Sequence, residues 1–151
     1  MKPEFSDLAI QCWRHDGRRL GHSKLCICMQ AERSAIASLI NAVDELATVG
    51  PENQRKLTTL GSVRPQPCTS IRLVHRNATP EFSELYVGCD GDCLTVEFTE
   101  HGLKPLADAL QTWAEGGEDF CIYPRGERIK PAARDSESGE IWFWTPQTDP
   151  T

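Results

Sequence analysis

The chain has no long apolar run. No stretch of its 151 residues approaches the length that a membrane-spanning helix requires, Met1 to Asp7 lack the apolar centre of a secretory leader, and no lipidation motif is present. A cytoplasmic protein with no membrane partner is therefore expected. Also missing are the glycine-rich loop that cradles phosphate, the Gly-x-Ser-x-Gly elbow and the His-Glu-x-x-His helix, each the mark of a particular chemistry. No Cys-x-x-Cys spacing occurs. The seven cysteines are odd in number and suit reduced thiols better than a disulfide framework. Basic residues are too few for a phosphate backbone: 16 Lys and Arg stand against 22 Asp and Glu, a net charge of -6, so nucleic acid is not an expected partner.

What is present is a repeat. Pro3-Glu4-Phe5-Ser6-Asp7-Leu8 returns 77 residues later as Pro80-Glu81-Phe82-Ser83-Glu84-Leu85. After each copy, apolar residues alternate with the rest: Leu8, Ile10 and Cys12, then Leu85, Val87 and Cys89, the mark of a strand with one buried face. Asp16-Gly17 and Asp90-Gly91 follow, residues that tolerate the positive φ of a tight hairpin. The returning strands carry Leu25, Ile27 and Met29, then Leu94, Val96 and Phe98. Next the period becomes helical. Ile36, Leu39, Ile40, Val43, Leu46 and Ala47 match Leu103, Leu106, Ala107, Leu110, Trp113 and Ala114 at an offset of 67, which predicts helices over residues 33–48 and 102–115 with Asn41, Asp44 and Asp108 facing outward. Gly50-Pro51 and Gly116-Gly117 are stop signals, and Pro105 fits a helix that begins near Gly102. Two further apolar runs close each copy: Leu57 to Leu60 and Ile71 to Val74, then Phe120 to Tyr123 and Ile141 to Thr145.

The expected fold class is α+β: a tandem duplication of a β-β-α-β-β unit, residues 3–79 and 80–151, in mainly antiparallel sheets each covered by one helix and related by a pseudo-twofold. Neither half is long enough for a comfortable core of its own, so the halves are expected to fold against each other. Trp142 and Trp144 alternate with Ile141 and Phe143, giving the last strand two apolar faces; one takes the helix and the other the first copy.

Charge is divided unevenly. Residues 1–79 hold 11 Lys and Arg against 7 Asp and Glu, net +4, and residues 80–151 hold 5 against 15, net -10. Either the halves attract each other or the second half presents an acidic surface to a basic protein. On the second reading Glu115, Glu118 and Asp119 form the charged contact, with Trp142 or Trp144 as aromatic anchor. The long segment from Pro124 to Gly139, with Arg125 and Arg128, is either a surface loop resting on neighbouring carboxylates or a binding loop beside the aromatic strand. Cys89-Asp90-Gly91-Asp92-Cys93 with His101 offers metal-ligand residue types, but its spacing is not that of a zinc knuckle and the Asp-Gly-Asp reads as a turn. No metal and no cofactor are expected.

From Leu94-Thr95-Val96-Glu97-Phe98 through Gly102-Leu103-Lys104-Pro105-Leu106, the Gly116-Gly117-Glu118-Asp119 turn and Ile141-Trp142-Phe143-Trp144, the second half resembles the small bacterial immunity proteins of polymorphic-toxin systems. The resemblance implies a non-catalytic protein that neutralises a toxin by binding it. The first functional reading is thus a cytosolic protein-binding module. A small Cys/His enzyme or metal-dependent protein using Cys89, Cys93 and His101 between the copies is the second. A structural domain that forms homodimers through the aromatic strand is the third.

Overall fold

Alternation and helical spacing translate directly into elements. The computed structural model describes residues 7–15, 26–31, 33–60, 66–80, 85–115, 120–122 and 140–144. In chain order they form β1 (Ile10–His15), β2 (Cys26–Ala31), α1 (Arg33–Val49), β3 (Asn53–Thr58), β4 (Ser70–His75), β5 (Leu85–Asp90), β6 (Cys93–Phe98), α2 (Glu100–Ala114), β7 (Phe120–Ile122) and β8 (Glu140–Trp144). This is a mixed α+β fold with mostly antiparallel strands. Among the described residues, no helix is long and apolar enough to cross a membrane.

Strand neighbours differ from the simplest expectation. The four strands of one half do not make their own sheet. Instead a terminal sheet has the order β1-β2-β8-β7 and a central sheet the order β3-β4-β6-β5. Each hairpin is antiparallel, but the hairpins join through parallel pairs, β2 with β8 and β4 with β6, contributed by different halves. The physical reason for the mismatch is that alternation fixes which face of a strand is buried and leaves open which strand lies beside it. The sheets also touch around β1: Leu8 N–H, just before β1, donates to the Thr58 carbonyl of β3 (2.9 Å), and Cys68 N–H, just before β4, donates to the Cys12 carbonyl of β1 (2.8 Å).

Both sheets and both helices bury one cluster. Ile10 and Met29 of the terminal sheet, Leu73 and Phe98 of the central sheet, and Leu39 and Leu110 of the helices all belong to it. The helices meet at one end of this core, where Arg33 Nε at the start of α1 donates to the Ala114 carbonyl at the end of α2 (2.8 Å), a cation supplied to a helix-end acceptor that has no donor within its own helix.

Helix ends follow local chemistry. Gly50 (φ +108°) terminates α1 in a conformation that side chains resist, and its N–H returns to the Leu46 carbonyl. The start of α2 differs from the sequence expectation. Thr99 is the cap, accepting from the N–H groups of His101 and Gly102, so the helix begins two residues before Gly102. Pro105 then falls in the second turn and deprives the His101 carbonyl of its usual donor; Pro105 is exposed, so water reaches that gap. Between β5 and β6 the Asp90-Gly91 hairpin is as expected, with Gly91 at φ +65°.

Candidate functional site

Cysteines come together in a way the sequence did not indicate. Cys89 pairs in register with Leu94, and Asp90 with Cys93. Cys89 and Cys93 therefore belong to opposite faces of the central sheet and do not converge as a ligand pair. His101 is exposed at the start of α2. Among the described residues, no group of three His, Cys, Asp or Glu side chains is placed to hold a metal ion. Cys89 instead meets Cys68, which in turn meets Cys12. The thiol contact with Cys12, aided by burial, pushes Cys68 up to about 12, against opposing effects of Cys89 and the Arg14 charge. Contact with Cys68 and then burial likewise hold Cys89 above the ordinary thiol range. Such thiols stay protonated at neutral pH and make poor nucleophiles and ligands.

This arrangement has a measurable signature. A thiol raised in the folded state contributes stability that is complete below its unfolded value near pH 9 and is lost as the pH climbs through the folded value. Unfolding titrations of the wild type and Cys68→Ala across that alkaline window should show the wild type losing more stability than the variant. Parallel pH profiles would remove the linkage.

A second cluster lies on the outward face of the central sheet. Glu97, 1 % exposed, accepts from Arg76 Nε at 2.6 Å. The same guanidinium reaches Glu52 at 3.4 Å, and Glu52 also receives the Asn77 N–H at 3.0 Å. These bonds fix the chain as it leaves β4. They involve no concavity and read as structural.

A concave feature lies elsewhere. A groove of about 800 Å³ runs between the outward flank of α1 and the β3 edge of the central sheet. Asp44, Glu45 and Asn41 line it from the helix, Arg55 and Leu57 from the strand, and Asp7 from the segment before β1. Asp7 is held there by a reciprocal clip: its carboxylate accepts from the Thr58 N–H (3.0 Å) and hydroxyl (3.2 Å), and its own N–H donates to Thr58 Oγ1 (2.9 Å). Glu45 pairs with Arg55. No described residue pairs with the Asp44 carboxylate. Three carboxylates thus face one guanidinium in the half whose net charge is positive.

None of the described site residues expected from the sequence lines this groove. Glu115 is the exposed cap of α2, where its carboxylate accepts from Gln111. Trp142 and Trp144 belong to β8 as register partners of Cys28 and Gln30, so β8 does lie against the first half, along a strand edge. Glu118, Asp119, Arg125 and Arg128 lie outside the described residues, as does the rest of the basic segment from Pro124 to Gly139. The groove was missed because Asp7 and the Asp44-Glu45 pair are far apart in sequence and their charge is cancelled when summed over the half. No protein-family model, curated protein or solved structure matches the chain.

Proposed function

We propose that the chain is a protein-binding module of the immunity type that holds a basic protein partner, a toxin in the reading the second half suggests. The observation that carries this is the groove beside α1, where carboxylates from two separated segments converge on a concave polar surface. Clefts with one prevailing charge concentrate oppositely charged partners and speed encounter. The acidic second half, with Glu115 exposed at the end of α2, extends the same preference.

The test uses the protein encoded by a toxin-like reading frame adjoining the gene. Wild type should bind and neutralise it. Asp44→Lys with Glu45→Lys should slow association by about tenfold and flatten its salt dependence, and Trp144→Ala should speed dissociation if that side chain is the aromatic anchor. A partner bound equally well by the charge-reversed variant would remove the groove from the reading.

We also propose a tandem β-β-α-β-β duplication with a pseudo-twofold. Its support is the correspondence of the two parallel ladders, which begin at Cys26 with Glu140 and at Cys93 with Ser70; Cys26 and Cys93 are separated by the same 67 residues as the starts of α1 and α2. With those strands matched, the hairpin registers align Ile10 with Leu85. Cys12 then corresponds to Val87, two register pairs away from the Cys12–Cys89 match that the repeated hexapeptide suggests.

A further inference from the structure

We infer that the partner docks by adding a strand to the edge of β3 at Gln54 and Lys56, so that sheet extension under α1 is how the groove is filled. The inference rests on the groove reading above and goes further in naming the backbone groups that do the binding.

β3 is the edge of the central sheet. Its backbone parity is fixed at one end. Thr59 N–H donates inward to the Thr69 carbonyl (2.9 Å), whereas the Thr58 carbonyl accepts from Leu8 and the Thr58 N–H donates to Asp7, both on the outer side. In a strand, successive residues present N–H and C=O to alternate sides. Gln54 and Lys56 therefore direct their backbone donors and acceptors away from β4, and no described residue pairs with them. These are the groups that a neighbouring strand uses.

Location supplies the second argument. A strand laid beside β3 lies under the flank of α1 that carries Asp44 and Glu45, within the groove. Every second side chain of that strand points toward those carboxylates, and the others share the face of exposed Lys56. The fitting occupant is an extended segment with Lys or Arg at alternate positions and uncharged or acidic residues between them. A second copy of this chain fits poorly, since antiparallel pairing of β3 with itself sets either Arg55 or Lys56 against its own counterpart, and like charges on facing strands repel.

The experiment follows backbone amide exchange by NMR in the full chain, alone and with a capped peptide alternating lysine and threonine, its glutamate–threonine counterpart serving as control. Binding of the lysine peptide should slow exchange at Gln54 and Lys56 by roughly tenfold at ten times Kd, with little change from the control. Gln54→Pro and Lys56→Pro should each weaken binding by about tenfold while leaving the host sheet folded, because proline is tolerated where the lost N–H faces an open edge. Lysine-peptide binding that shifts Asp44 and Glu45 without protecting these amides would overturn strand addition and leave the groove reading standing. No binding of that peptide would overturn both. Protection already present without peptide would also overturn the inference, assigning the edge to a second copy if it grows with protein concentration and to the chain's own residues if it does not.

Discussion

Phe98→Ala is expected to cost about 3–5 kcal/mol, the range for deleting a fully enclosed aromatic side chain. Phe98 is 0 % exposed and sits in β6 between Leu85 on one side and His75 on the other. Its ring stacks on the imidazole of His75 with centroids 5.0 Å apart and planes at 19°. His75 in turn contacts the Leu46 carbonyl through Nδ1 at 3.2 Å. Removing the phenyl ring therefore loosens the imidazole that ties the central sheet to the last turns of α1. Urea unfolding should show a lower midpoint at unchanged slope. A loss below about 1 kcal/mol would mean that the neighbourhood closes over the vacancy.

Arg76→Ala is the next most damaging change expected, at about 3 kcal/mol, because it leaves the Glu97 carboxylate buried without the cation that Nε now supplies. The reason is not the attraction between the two groups. Desolvating a carboxylate is costly, and removal of the Arg76 charge exposes part of that cost. Arg76→Ala combined with Glu97→Gln should therefore be closer to wild type than Arg76→Ala alone, a non-additivity that a double-mutant cycle measures. Equal losses in the single and double variants would show that the guanidinium acts through packing alone.

Glu97 also shows where sequence reasoning stops. The positions of Leu94, Val96 and Phe98 identify β6 as a strand and place Glu97 on its other face, yet that face is covered and Glu97 is among the most buried residues. Alternation distinguishes two faces; it does not say that one is solvated. The helices were readable because six apolar positions per helix repeat at helical spacing, and Gly50 marked an end through its backbone conformation. Thr99 could have been recognised as a cap, which would have moved the start of α2 and accounted for Pro105. By contrast, the pairing of β2 with β8 depends on contacts between residues more than a hundred positions apart, for which local spacing carries no information. The groove shares that difficulty: Asp44 was readable as an outward residue of α1, but its neighbours Asp7 and Arg55 arrive only once β3 lies beside the helix.

The two sheets have different histories during synthesis. The central sheet uses four consecutive strands between Asn53 and Phe98 and can close while the rest of the chain is still being made. The terminal sheet joins the first hairpin to the last, and cannot be completed until Trp144 has left the ribosome. Until then β2 waits with an open edge, the kind of exposed template that invites mispairing. A chain shortened before Glu140 would leave it open permanently and would be a target for chaperones and proteases, even though the central sheet retains all four of its strands.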